Sequence, residues 1–147
     1  MVVRTARTAW NGTLPEGSGQ VELTSSGTGT FDVSWPRRSG DDANGVTSPE
    51  ELIAAAHSSC FAMAFSGELA GAGATPISHE ITADVTFGPD PAGGFQIASI
   101  ALTLRGEAEG IDAAGYQEAA EKAKAGCPVS KALASVPEIT LDVTFES

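Results

Sequence analysis

The chain has 147 residues, 41% of them hydrophobic, enough for one domain with a core of its own and no disulfide staples. Nineteen acidic residues against eight basic ones give a formal net charge of -11. That excess excludes non-specific nucleic-acid binding and attraction to an anionic membrane surface as the expected function. The amino-terminal MVVRTARTAW has no apolar signal core, and the uninterrupted apolar runs are shorter than a bilayer span. The expectation is a cytoplasmic protein with no membrane partner. Structural disulfides are rare in that compartment, so the two cysteines should be free, catalytic or metal-bound.

In chain order, a short strand from Thr5 to Trp10 is expected to pair with two more, GQVELTSS and GTFDVSW, joined by the turn-rich SSGTG. A polar loop, PRRSGDDANGVT, follows and holds the one Arg-Arg pair, Arg37 and Arg38. A long helix should start at Ser48 as N-cap, with Pro49 in its first position and Glu51 completing a capping box. It should run to about Ala72 and stop at Gly73. Apolar or small residues surround it on every side, which predicts a buried helix. In a chain this short, such a helix calls for cover from a second subunit.

ISHEITADVTF alternates, so Ile77, His79, Ile81, Ala83, Val85 and Phe87 should share one face of a strand. GPDPAGG is a hairpin loop and FQIASIALTLRGEA the returning strand. DAAGYQEAAEKAKAG reads as an amphipathic helix capped by Asp112 and ended by Gly126. Cys127 precedes a Pro that can open a further short helix, and EITLDVTFE closes the chain as a strand. The order predicts an α+β fold, with helices packed on antiparallel sheet, in a single domain over residues 1–147.

Cys60 lies inside the long helix. A buried helical thiol has a raised pKa and is inert. Three features here suggest otherwise: His57 one turn earlier, the polar Ser58 and Ser59 beside it, and Cys127 at a helix amino terminus, where the dipole favours a thiolate. The two sulfurs can react together only if the fold brings their Cα atoms within about 7 Å. A thiolate that attacks a peroxide becomes a sulfenic acid, which a second thiol condenses to a disulfide. That chemistry needs a cation near the first thiol, and the candidates are Arg37 and Arg38. A zinc site from His57, Cys60, Cys127 and His79 would lack the close ligand spacing that zinc motifs show, so no metal is expected.

TSPEELIAAAHSSCFAMAFS together with KAKAGCPVSKAL resembles the OsmC/Ohr family of osmotically inducible and organic hydroperoxide resistance proteins. The shared features are the capped Glu-Glu helix start, a Cys ten residues after the first Glu, and a later Cys-Pro-Val-Ser. SPEELIAAAH and AKAGCPVSKAL are closer to the OsmC branch. The resemblance implies an intertwined homodimer with a long central buried helix and two interface active sites, working as a thiol peroxidase without a cofactor. It implies that Cys60 is the peroxidatic thiol and Cys127 the resolving one, linked in turnover by an intramolecular disulfide. It further implies that Glu50 pairs with the catalytic arginine. Arg38, further into the loop than Arg37 and beside Ser39-Gly40, is the preferred arginine. Ten residues of helix separate Glu50 from Cys60 by about 15 Å, so the Arg38–Glu50 pair is expected to reach Cys60 across the dimer.

Hydroperoxides, organic ones and hydrogen peroxide, are the expected substrates, with Phe61 and Phe65 offering apolar surface to an organic group. The resemblance suggests a dithiol reductant of the lipoyl type. Two other readings remain open on the residues. One is a small-ligand-binding stress protein of the same fold, the other a redox sensor without turnover. Steady-state peroxide consumption with a supplied dithiol separates them from an enzyme.

Overall fold

A computed structural model describes residues 1–147. The chain divides into two compact units, Met1–Leu52 and Ile53–Ser147. The first holds an antiparallel sheet of β1 (Arg7–Asn11), β2 (Ser18–Glu22) and β3 (Thr30–Val33) in that spatial order. The expected first strand thus lies two residues later at its start. The loop after β3 contains a turn of helix not foreseen in the sequence, α1 (Trp35–Ser39), with Pro36 in its opening turn, where a missing N–H costs nothing. Asn44 and Gly45 both take positive φ in the turn that leads to the long helix α2 (Pro49–Gly71). The Asp42 carboxylate accepts the Asn44 N–H there.

The start of α2 is half of a capping box. The Ser48 hydroxyl accepts the Glu51 N–H at 3.1 Å, as expected. The Glu51 carboxylate, however, accepts the Thr47 hydroxyl rather than reaching back to the N-cap N–H. Thr47 is itself held by a bridge to Val33 at the end of β3, which puts its hydroxyl within reach first.

The remainder of α2 belongs to the second unit, with β4 (Thr75–Pro89), β5 (Phe95–Glu109), α3 (Ala113–Gly126), α4 (Pro128–Ala132) and β6 (Glu138–Phe145). β4 and β5 form the antiparallel hairpin expected over Asp90–Gly94. β6 corrects the all-antiparallel expectation: it lies parallel to β5, in register from Ser99 opposite Glu138 to Gly106 opposite Phe145. The cause is the connection. Two helices stand between β5 and β6, and a crossover of that length returns the chain to the same end of the sheet.

Alternation along β4 holds from His79 to Phe87 but not at Ile77, which is 54% exposed. A register shift between Pro76 and Ser78 inserts an extra residue and turns Ile77 away from the face it should share. The core gathers Phe61, Phe65 and Leu69 at four-residue spacing on α2, Ile100, Leu102 and Leu104 at two-residue spacing on β5, and Tyr116, Ala119, Ala120 and Ala123 on α3. Asp112 caps α3 by accepting the Gly115 N–H at 2.8 Å. Gly106 on β5 is forced by a close approach: a Cβ there would stand 2.6 Å from the Tyr116 hydroxyl and 2.5 Å from the Ser78 carbonyl.

The helix that its composition makes apolar on all sides is not buried on all sides. Between Pro49 and Gly71 the buried residues are Glu50, His57, Phe61, Phe65 and Leu69, while Met63 is 72% exposed. A sheet covers one stripe of a helical cylinder, and the rest of α2 faces outward in the single chain. By length and composition alone, α2 is also the one helix that could cross a bilayer, which the short apolar runs in the sequence do not suggest. Glu68 within it and the stripe packed into the core fit the helix of a folded domain.

Candidate active site

Cys60 occupies the middle of α2, one turn after His57. Cys127 stands at a joint, where it both ends α3 and opens α4. Although 67 residues separate them, their sulfurs are 2.9 Å apart and share a hydrogen bond as free thiols. The crossover that makes β6 parallel is what carries Cys127 to α2. Cys127 is fully buried and Cys60 partly accessible.

Geometry alone lets either sulfur donate to the other. The surroundings favour one arrangement. Burial pushes the Cys127 thiol up, but donation from Cys60, from the N–H and hydroxyl of Ser130 and from the Val129 N–H outweighs it and brings Cys127 below its ordinary value. Val129 and Ser130 occupy the second and third positions of α4 and face the sulfur without closing a capping bond. Burial pushes Cys60 up, and so does its contact with Cys127, against a single Val129 N–H. The surroundings therefore push the Cys60 pKa up and the Cys127 pKa down.

His57 is completely buried, and its Nε2 lies 2.7 Å from the Ser130 hydroxyl. Burial lowers its pKa, so it is neutral. His79 donates from Nε2 to the Ala62 carbonyl, 3.1 Å away, and sits edge-on to Phe65. The two histidines thus have separate partners, and no three His, Cys, Asp or Glu side chains cluster as metal ligands would.

In the first unit, Arg38 and Glu50 form the ion pair that the resemblance implied. The guanidinium Nε is 3.2 Å from each carboxylate oxygen, and Nη2 is 2.8 Å from Oε1. Glu50 is buried and Arg38 about one-third exposed. Arg37 instead donates to the Asp42 carbonyl at 3.2 Å and is 4.0 Å from its carboxylate. Arg38 also borders an apolar cleft of about 200 Å³ lined by Trp10, Leu14, Val33, Trp35 and Pro49.

Two sequence expectations change at this point. Phe61 and Phe65 are fully buried core residues and offer no surface to a ligand, because the stripe that carries them is the one the sheet covers. The aromatic surface beside Arg38 comes from Trp10 and Trp35, and its signal in the sequence is the Trp-Pro-Arg-Arg run. Ser130 is a site residue that the sequence reasoning does not single out. Its signal is its place three residues after Cys127, where a polar side chain can face an N-cap residue.

The sequence model of the family described as OsmC-like protein matches residues 40–142. The chain is 42% identical to peroxiredoxin OsmC of Escherichia coli over 138 residues, covering 94% of this chain and 93% of that protein. It is 33% identical to the organic hydroperoxide resistance protein OhrA of Bacillus subtilis over 99 residues, 67% of each chain. Among solved structures, the organic hydroperoxide resistance protein OhrB of Bacillus subtilis superposes with a TM-score of 0.71 at 27% identity, covering 95% of this chain and 98% of that one. With a family match over most of its length and this degree of identity, the chain belongs to the family of OsmC-like proteins.

Proposed function

We propose that the protein is a thiol-dependent peroxidase that reduces organic hydroperoxides and hydrogen peroxide. The observation that carries this reading is the 2.9 Å approach of Cys60 and Cys127 across 67 residues of sequence. A pocket for a bound ligand needs neither sulfur, and a pair held in contact is ready to form a disulfide. The names of the relatives, a peroxiredoxin and an organic hydroperoxide resistance protein, support a peroxide-related stress function.

In this reading the Cys60 thiolate attacks the O–O bond, becomes a sulfenic acid and releases an alkoxide that leaves as the alcohol. Cys127 then attacks the Cys60 sulfur, a disulfide forms and water departs. A dithiol of the lipoyl type reduces the disulfide. No cofactor enters. Because burial holds the Cys60 proton on, the first step requires a cation at Cys60. Arg38 is that cation, fixed by Glu50, and the pair reaches Cys60 from the second subunit of an obligate homodimer. The exposed side of α2 supports the dimer, since a helix this apolar needs cover. The apolar cleft beside Arg38 would take the organic group of the peroxide. The protein acts in the cytoplasm, with both units working as one domain.

The test is steady-state consumption of an alkyl hydroperoxide with matched dihydrolipoamide, thioredoxin and glutathione systems. Turnover is expected with dihydrolipoamide, and saturable hydroperoxide binding without consumption in any of the three would leave only the binding-protein reading.

A further inference from the structure

We infer that His57 and Ser130 form a buried proton relay behind Cys127, serving the disulfide-forming step of the peroxidase reading on which the inference rests. His57 comes from α2 and Ser130 from α4, 73 residues apart, and their side chains meet at 2.7 Å with both residues buried. Two buried polar side chains brought together over that distance are costly unless each satisfies the other. Here the satisfaction is incomplete, because the His57 Nδ1 is buried without a protein partner. A histidine kept solely for packing could be replaced by an apolar side chain without that cost.

The chemistry follows from which atoms carry protons. The Ser130 hydroxyl meets His57 at 2.7 Å, and Ser130 stands in the third position of α4, the helix that Cys127 opens. With Cys127 as a thiolate, His57 Nε2–H donates to Ser130, and Ser130 donates to the sulfur. With Cys127 as a thiol, the chain runs the other way: the thiol donates to the Ser130 oxygen, Ser130 donates to Nε2, and Nδ1 carries the histidine proton. Passing from the second arrangement to the ionised state moves the thiol proton to Ser130 and the Ser130 proton to Nε2, leaving an imidazolium. The Cys127 electron pair then bonds to the Cys60 sulfur, the S–O bond breaks, and the departing hydroxide is protonated to water. Thiol and sulfenic acid have become disulfide and water, and His57 returns its extra proton through Ser130.

The return path of the relay leads to the cleft that Ser130 lines. Ser130 forms part of the wall of a cleft of about 380 Å³ whose other residues include Glu121, Lys124 and Lys131. Glu121, Lys124 and Lys131 line that cleft, and Cys60 faces Cys127 from α2. The absence of a carboxylate on His57 makes its imidazolium short-lived, as a relay requires, since a stably charged histidine would hold the proton. His57 and Ser130 act through Cys127 and are positioning residues.

The experiment uses the full-length protein in two forms. In a Cys60→Ser background, the Cys127 13Cβ shift is titrated by NMR. In the two-cysteine protein, single-turnover mixing with an alkyl hydroperoxide compares sulfenic acid trapped by dimedone with disulfide formed. Ser130→Ala and His57→Phe should each raise the Cys127 midpoint by about one pH unit or more, and should slow disulfide formation at least about tenfold so that sulfenic acid accumulates. Ser130→Thr, which keeps the hydroxyl, should restore both. His57→Gln, which keeps a hydrogen bond but cannot take a proton at neutral pH, should hold the midpoint near its original value and still slow the disulfide step. An unchanged midpoint in Ser130→Ala and an unchanged disulfide rate in His57→Gln would overturn the relay, and the glutamine variant decides the matter even if the phenylalanine one fails to fold. Failure of the peroxidase reading looks different: the unmodified protein would form no sulfenic acid, while the NMR titration would still report on the relay.

Discussion

Arg38 holds Glu50 through its Nε and Nη2, at 2.8 to 3.2 Å, while its sequence neighbour Arg37 turns to Asp42. A forked guanidinium against a buried carboxylate is a fixed geometry, whereas Arg37 makes an exposed loop contact. Arg38→Ala should therefore lower peroxide reactivity at neutral pH by roughly 10²-fold or more. It should also cost about 1–3 kcal/mol of stability by leaving Glu50 buried without its partner. Arg37→Ala should change neither by much. Single-turnover peroxide rates and urea denaturation of the two variants check this, and a large loss confined to Arg37→Ala would assign the other arginine.

The thiol pair makes opposite demands on its two members. Cys60 is the accessible sulfur, yet its surroundings push its pKa up and that of Cys127 down. Cys60→Ser should abolish peroxide consumption. Cys127→Ser should consume about one peroxide per site and then stall or advance to sulfinic acid. Mass spectrometry of each variant after one equivalent of hydroperoxide reads the outcome. Oxidation of Cys127 in the Cys60→Ser protein, with Cys127→Ser inert, would reverse the two roles.

Met63 lies on the outward side of α2 and is 72% exposed in the single chain. If a second subunit covers that side, a charge placed there would be buried against an apolar surface. Met63→Glu should shift the protein from dimer to monomer or unfold it at micromolar concentration, with sedimentation velocity as the measurement. A Met63→Glu protein that sediments like the unmodified one would show that this side of the helix is outside the interface.

Tyr116 is fully buried and its hydroxyl has no protein partner. Burial, and secondarily the charge of Glu146, pushes its pKa up to about 12. An unfolded tyrosine loses its proton near pH 10. Above that pH the unfolded state has released a proton that the folded state still holds, so stability falls as pH rises. The contribution is complete below about pH 10 and lost by about pH 12, worth roughly 2–3 kcal/mol. Tyr116→Phe should flatten this fall and be neutral to about 1 kcal/mol stabilising at pH 7, since it removes an unpaired hydroxyl. Denaturant midpoints of both proteins between pH 7 and 12 provide the check.

Local signals in the chain are readable where one residue sets one bond. Ser48 caps α2, Asp112 caps α3, and Pro128 opens α4. Signals fail where a distant partner decides. The sequence of β6 alternates equally well in a parallel or an antiparallel pair, and only the crossover distinguishes them. Ile77 fits the alternation of β4, but its exposure follows from a bulge whose cause is register with β5. The candidate site divides in the same way. The resemblance points to Cys60, Cys127, Arg38 and Glu50, and the fold joins them as one thiol contact and one ion pair. The Ser130 contact with His57 joins residues from α4 and α2, and no periodicity links those positions. Nor does sequence tell which stripe of an all-apolar helix the sheet will cover, which is why Phe61 and Phe65 look like ligand surface before the fold is known.

The 67 residues between the two sulfurs also set an order of events during synthesis. At about 5–20 residues per second, the ribosome makes Cys60 roughly 3–13 seconds before Cys127. β6, whose pairing with β5 completes the sheet, comes later still. Throughout that interval each nascent chain carries a cysteine whose partner does not yet exist. On the proposed peroxidase reading, a Cys60 sulfenic acid formed in that interval has no Cys127 to condense with, and only the finished chain can resolve it as a disulfide.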